Sequence, residues 1–297
     1  MDDGGYRPGV AHALAVDVGG TKLAAAVVDD GGAVLRSARA ATPRTGSAAD
    51  VFDALLGVVD RVRAGDEVVC GVGCGGPMAP GGEEVSPLNI AAWRGFPLRS
   101  ALAERLALDT FVDNDAKALA LGEGWRGAAR GVAAFVAMVV STGVGGGIVL
   151  DGRLLDGAAG NAGHIGHVIV VPGGRRCACG AAGCLEAEAS GPSIQAVTGR
   201  PAAEAGPDVV ERTGMLVGRA VASVANLLDL RLAVVAGSVA LGFGEPFFAA
   251  ARAEVERSAR LSFSAGALVA PAGLGADGPL VGAAAVGWRG LGRQVLA

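Results

Sequence analysis

One pattern occurs twice in this chain and narrows its fold more than any other feature. An apolar run, a turn of glycine and threonine, a second apolar run and an Asp-Gly turn extend from Ala13 to Gly32, and again from Val136 to Gly152. In the first copy, residues 13–18 and 23–28 flank Gly-Gly-Thr-Lys, and Asp29-Asp30-Gly31-Gly32 leads into Ala33-Val34-Leu35. In the second, residues 134–140 run into Ser141–Gly147, read as one loop, and emerge as Ile148-Val149-Leu150. Short apolar runs joined by such turns predict antiparallel strands. Between and after the copies the period changes to that of helices. Val51, Leu55, Val58, Val59 and Val62 share one face of a helix over 50–63, and helices are expected over 115–125, 208–228, 245–258 and 282–290. Further strands are expected over 68–73, 111–113 and 232–236.

Strands alternating with helices in two related halves predict an α/β protein with a duplicated architecture and a cleft between its halves. The expected domains are residues 12–115, with the C-terminal helix 279–297 packing back on them, and residues 116–278. Aromatic residues make up only 4% of the chain while alanine, valine and 50 glycines dominate, which favours close helix–sheet packing.

A net charge of -4 with no basic stripe argues against a nucleic-acid partner. Met1–Ala11 lacks a signal-peptide pattern, and no apolar run is suited to span a membrane, so a cytoplasmic, reducing location is expected. In that setting five cysteines do not make a disulfide framework.

The two turns carry the first chemistry. Asp17-Val18-Gly19-Gly20-Thr21-Lys22 joins glycines, whose amides approach phosphate oxygens closely, to a hydroxyl and a compact positive charge. Asp17 suits Mg²⁺, held directly or through water. The spacing and the strand–turn–strand setting differ from a P-loop. Ser141-Thr142-Gly143-Val144-Gly145-Gly146-Gly147 is the matching loop of the second half. Each alone also reads as a plain glycine hairpin; the pair points to phosphate.

Asp113-Asn114-Asp115 ends a strand and opens a helix. Phosphoryl transfer to an alcohol needs a carboxylate to accept the hydroxyl proton, and Asp115 with the amide of Asn114 beside it supplies that pair. The same residues are also ordinary helix caps. His167, Cys177, Cys179 and Cys184 offer one imidazole and three thiolates, a closed tetrahedral Zn²⁺ set and therefore a structural one. Free buried thiols or a redox pair are the alternative. Cys70 and Cys74 read as ordinary small core or loop residues.

Together these segments resemble one family, the ROK group of repressors, open reading frames and sugar kinases, which has the actin-like ATPase (hexokinase) fold. The resemblance rests on DVGGTK at 17–22, VDNDA at 112–116, STGVGGGIVLDG at 141–152 and GHIGH…CACGAAGCLE over 163–186. It implies ATP-dependent phosphorylation of a hexose hydroxyl, the 6-hydroxyl of glucose first, with Asp115 as base and with ATP, Mg²⁺ and structural Zn²⁺ as cofactors. It also implies a sugar pocket of Gly75, Asn89, Asn114, His164, His167 and Glu186. The nucleotide would be held by Asp17, Gly19, Gly20, Thr21, Lys22, Thr142 and Gly143, with Gly237 and Ser238 beside the nucleoside. A homodimer or homotetramer is expected.

The chain departs from the family pattern in two places. His164 stands where a sugar-binding glutamate is usual, and a neutral imidazole does not replace a bidentate carboxylate. N-acetylmannosamine kinases of the family carry the same AGHIGH string and are the alternative. Lys117 stands where a small or amide residue is common. On a solvated face it is harmless; turned inward, its charge favours the ionised form of Asp115. About a dozen residues precede the first strand, too few for the DNA-binding domain of the family's repressors. A sugar-binding regulator without catalysis remains the competing class, and polyphosphate the competing donor.

Overall fold

The computed structural model describes residues 10–296. Met1–Gly9, over which part of the signal-peptide expectation falls, and Ala297, the end of the expected C-terminal helix, lie outside them. The chain divides into two compact units: residues 1–130, 156–162 and 274–297 form the first, and residues 131–155 with 163–273 form the second.

The first unit holds β1 (His12–Val18), β2 (Lys22–Asp29), β3 (Val34–Ala41), α1 (Ala48–Val59), β4 (Glu67–Cys74), α2 (Leu98–Leu106), β5 (Thr110–Asn114) and α3 (Asp115–Arg126). The second holds β6 (Phe135–Val140), β7 (Val144–Leu150), β8 (Arg153–Leu154), α4 (Leu185–Ala189), α5 (Gly191–Thr198), α6 (Pro207–Leu228), β9 (Leu232–Ala236), α7 (Ser238–Phe243), α8 (Glu245–Ser258) and β10 (Leu268–Pro271). Then α9 (Gly278–Gly290) returns the chain to the first unit.

The duplication expected from the repeated pattern is present in the sheets. Their orders are β3-β2-β1-β4-β5 and β8-β7-β6-β9-β10. In each, the first strand pairs antiparallel with the next and parallel with the strand that follows a helical crossover. This is the α/β architecture of actin-like ATPases.

Strand β1 is apolar almost throughout because both faces of its sheet are covered. On one face Leu14, Val16 and Val18 join Val51, Leu55, Val58 and Val59 of α1, and Leu98, Leu102 and Leu106 of α2. Ser47 starts α1 with a capping box closed by Asp50. On the other face α9 packs on β1, β4 and α3. The helix α3, which the sequence pattern assigns beyond the first domain, thus packs within the first unit, and that unit continues to Arg130.

In the second unit Val136, Met138, Leu216, Val217, Ala220, Phe247 and Phe248 are at the centre of a single core. Helices α2 and α5 and the short strands β8 and β10 were not expected from periodicity. In α2 the apolar residues Leu98, Leu102 and Leu106 are too sparse among charges to mark a face.

The alanine- and glycine-rich composition has a specific use here. A Cβ on Gly71 of β4 would lie 1.9 Å from the carbonyl oxygen of Ala283 in α9, and one on Gly282 would lie 2.4 Å from that of Ala118 in α3. Backbone meets backbone at these contacts, so no side chain can move to make room. Replacing Gly71 with alanine is expected to lower stability by about 1–3 kcal/mol. A denaturant midpoint equal to that of the parent would show that α9 does not depend on this approach.

Candidate active site

In the first unit the turn between β1 and β2 is reduced to Gly19, Gly20 and Thr21, with Lys22 opening β2. Thr42 ties it down: its hydroxyl donates to the Gly19 carbonyl at 2.7 Å, and its amide donates to the Thr21 carbonyl at 3.2 Å. The Gly19 amide donates to the Lys22 carbonyl at 3.0 Å and is thereby spent. Among the described residues, the amides of Gly20 and Thr21 are the two in this turn left without a protein acceptor. Of the two glycine amides expected to face a ligand, that of Gly19 is thus occupied within the turn. Asn89 lies directly on the turn, because a Cβ on Gly20 would come within 2.3 Å of its own Cβ.

Strand register sets the carboxylates. Asp17 in β1 pairs with Gly73 in β4, which pairs with Asp113 in β5. Gly73 offers no side chain, and its Cβ position lies 4.0 Å from Asp17 Oδ1 and 3.7 Å from the Cα of Asp115. Asp17 retains some exposed surface, yet protein surrounds its carboxyl. Burial first, and then the negative charge of Asp115, push its pKa up to about 7 against the partial relief of Lys22 and Arg39.

Asn114 and Asp115 both accept from the first amides of α3. Asn114 is the N-cap of α3, its Oδ1 accepting from the amides of Ala116 at 3.0 Å and Lys117 at 3.4 Å. Its amide nitrogen lies 3.4 Å from the Cβ position of Gly76. Asp115 is the first helical residue, so its carboxylate stands at the positive end of α3. Its Oδ1 accepts the Ala116 amide at 2.8 Å, and its Oδ2 lies 4.0 Å from the Cβ position of Gly75.

Lys117 is only 3% exposed, which overturns the solvated-face reading. Its ammonium pairs with Asp113 at 3.1 Å and Asp156 at 2.7 Å. Arg289 of α9 pairs with the same two carboxylates at 3.4 and 2.9 Å, closing a ring of alternating charge. The carboxyls respond differently. In Asp113 burial outweighs the cations and raises the pKa, whereas in the half-exposed Asp156 the opposing burial is outweighed by Lys117 and then Arg289, and the pKa falls.

The second unit repeats the turn. Between β6 and β7 it contains Ser141, Thr142 and Gly143, and the Ser141 amide donates back to the Gly143 carbonyl at 2.9 Å. Among the described residues, the amides of Thr142 and Gly143 have no protein acceptor. Gly145, Gly146 and Gly147 belong to β7, paired with Val139, Met138 and Ala137, so the loop is shorter than its glycines suggested. Gly146 has no room for a side chain, its Cβ position lying 2.9 Å from Ile165 Cγ2 and 3.1 Å from the Gly163 carbonyl oxygen. A Cβ on Gly163 would lie 2.3 Å from the Gly146 carbonyl oxygen, and one on Gly166 would lie 2.1 Å from that of Val144. The Gly163–His167 segment is thus seated backbone-to-backbone on β7.

Glu186, near the start of α4, accepts the Val144 amide at 2.9 Å through Oε2. Gly237 and Ser238 adjoin the same turn: the Gly237 Cβ position is 2.3 Å from the Val140 carbonyl, and the hydroxyls of Ser238 and Ser141 are 2.9 Å apart. The rings of His164 and His167 have centroids 6.0 Å apart.

The ligating atoms of His167, Cys177, Cys179 and Cys184 all lie within 4.8 Å of one another. Cys179 and Cys184 sulfurs are 3.7 Å apart, as are the Cys177 sulfur and His167 Nδ1. A tetrahedral zinc with sulfur at about 2.3 Å sets neighbouring sulfurs about 3.8 Å apart, so these residues fit the metal. Glu188 braces the loop, accepting from the Arg175 amide and the Arg212 guanidinium, each at 2.7 Å. Thr42, Asp156, Glu188 and Arg289 escaped the sequence because each acts on a partner distant in the chain and sits in no motif. Cys70 and Cys74 are buried, as expected of core thiols.

With this geometry, the ROK family model matches residues 13–288, and the chain belongs to the ROK family. An N-acetylmannosamine kinase of Citrobacter koseri is 37% identical over 246 residues, covering 78% of this chain and 84% of that protein. A glucokinase of Streptomyces coelicolor is 37% identical over 182 residues, 61% of this chain and 57% of that protein. The crystal structure of a ROK family glucokinase from Streptomyces griseus, in complex with glucose and AMPPNP, superposes with a TM-score of 0.83 at 31% identity, covering 94% of this chain and 100% of that one.

A carboxyl whose pKa is raised on folding holds its proton more tightly in the native state. Asp17 therefore costs stability increasingly as pH rises from its ordinary 3.8 towards about 7. In the nucleotide- and metal-free protein, Asp17→Asn should flatten that part of the stability profile and raise stability at pH 8. Asp115→Asn should bring the Asp17 pKa down. Parallel profiles for parent and Asp17→Asn from pH 4 to 8 would contradict the coupling.

Proposed function

We propose that this chain transfers the γ-phosphoryl group of ATP to the 6-hydroxyl of a hexose, with Asp115 as the general base. That it is an enzyme, a sugar kinase of the ROK type, follows from its family and relatives. The site residues and the acceptor are the proposal. The observation that carries it is the place of Asp115 at the start of α3, with its Cα 3.7 Å from the Cβ position of Gly73 and its charge close enough to Asp17 to help raise that carboxyl's pKa.

In the reaction the sugar hydroxyl loses its proton to Asp115, its oxygen bonds to the γ-phosphorus, and the bond to the β-phosphate oxygen breaks, releasing ADP. The amides of Gly20 and Thr21 with the Lys22 ammonium, and those of Thr142 and Gly143, suit phosphate oxygens. Gly237 and Ser238 suit the nucleoside side of the second turn. Asp17 is suited to Mg²⁺, since its partly protonated carboxyl regains full charge beside a cation. Bound Mg²⁺ supplies neutralisation of charge on the transferring phosphoryl group. Gly75, Asn89, Asn114, His164, His167 and Glu186 are proposed to contact the sugar. Zinc on Nδ1 of His167 would leave Nε2 for a sugar hydroxyl.

Glucose is the first acceptor proposed. N-acetylmannosamine is the second, on the single observation that an imidazole, His164, stands at the position read as the family's glutamate. An ADP-release assay over glucose, mannose, N-acetylglucosamine and N-acetylmannosamine separates them, run with ATP and with polyphosphate as donor.

Asp115→Asn should reduce kcat by about 10²–10⁴-fold or more while sugar binding persists. Turnover at the parental rate would remove the base from Asp115. Metal analysis of purified protein should return about one zinc per chain. Folded, active protein without metal would exclude the structural site.

A further inference from the structure

Lys117 has three ammonium donors and three acceptors: Asp113 Oδ1 at 3.1 Å, Asp156 Oδ1 at 2.7 Å and the Gly160 carbonyl at 3.2 Å. The first acceptor belongs to the strand end that delivers Asn114 and Asp115. The other two belong to the loop 156–162, which is part of the first unit. That loop, Asp-Gly-Ala-Ala-Gly-Asn-Ala, has no buried apolar side chain to hold it down. Gly157 and Gly160 both have φ near +78°, and the loop closes on itself through the Ala162 amide and the Asp156 carbonyl at 3.0 Å. A glycine-rich loop without an apolar anchor is costly to order, so its polar anchors decide its position. Those anchors are Lys117 and, through Asp156, Arg289.

A buried ammonium is a poor source of net stability, because taking it out of water offsets most of what its partners return. Its use is geometric definition. We propose that Lys117 is a positioning residue for the sugar acceptor, fastening the loop 156–162 to the first turn of α3 so that the loop is a fixed wall of the acceptor space beside Asp115. This rests on the reading of Asp115 as the group that receives the sugar hydroxyl. Asp156 is the loop's half of the fastening, and Arg289 holds both carboxylates in place from α9. Of the three donors, the one to Gly160 fixes the far side of the loop, which a planar guanidinium at position 117 would not reproduce together with both carboxylates.

The test uses the full chain with Lys117→Met, Asp156→Ala and the double variant. Asp156 is half-exposed, so its replacement leaves folding intact where Lys117→Met alone might be blamed for misfolding. Both single variants should raise KM for the sugar by about tenfold, with KM for ATP within about twofold, because a loosened wall misplaces one substrate only. The double variant should be no worse than the worse single one, since both cut the same fastening. Lys117→Arg should recover only part of the loss. Hydrogen exchange at the Gly160 and Ala162 amides should quicken in both single variants, with β1 and β4 unchanged. An unchanged sugar KM in folded Asp156→Ala, or unchanged exchange in the loop, overturns the proposal. The exchange measurement needs no turnover. Failure of the Asp115 reading would appear separately, as parental activity in Asp115→Asn.

Discussion

The structure depends on backbone approaching backbone without intervening side chains. In the first unit α9 lies on β4 at Gly71 and on α3 at Gly282, at distances that a single methyl group would abolish. That places α3, and with it Asn114 and Asp115, at one height above the sheet. In the second unit Gly163 and Gly166 seat their segment on β7, which fixes the chain on either side of His164 and leads to His167. Dense packing of this kind transmits position because it has no compliant side chain to absorb an error.

On that rigid frame the charges are distributed by function. Asp17 and Asp115 approach across the Cβ-less Gly73, and burial first, then the charge of Asp115, raises the pKa of Asp17. Two residues beyond Asp115, Lys117 is taken up by Asp113, Asp156 and Arg289, a closed ring in which each carboxylate meets both cations. In the second unit Glu188 braces the cysteine loop from α4, two residues from Glu186, which accepts the Val144 amide at the start of β7. Each cluster ties a loop to a helix.

Much of the fold was legible because its signals are local. The helices over 208–228 and 245–258 and the strand 232–236 appear as α6, α8 and β9, within a residue of the expected bounds, and the repeated strand–turn–strand pattern appears as β1–β2 and β6–β7. The cysteine and histidine spacing was legible for the same reason: ligands within one loop keep their separations once the turn is formed. Less legible were Gly145–Gly147. They read as loop, and they are strand; the missing side chain of Gly146 answers to Gly163 and Ile165, nearly twenty residues on, rather than to a turn. Lys117 was legible only as a choice between a solvated face and an inward turn, and Asp156, distant in the chain, is among the partners that make it a buried one.

By itself, then, the sequence determined the two halves, the turns between their first strands, the residue types at the strand ends and the grouping of His167 with three cysteines, since all depend on neighbours close in the chain. The tertiary structure decided which amides of each turn remain without acceptors and what holds Lys117. These depend on Thr42, Asp156 and Arg289, groups brought to their places only when sheets and helices pack. A local pattern carries residue types and spacing; it carries no information on which distant group will occupy the remaining hydrogen bond.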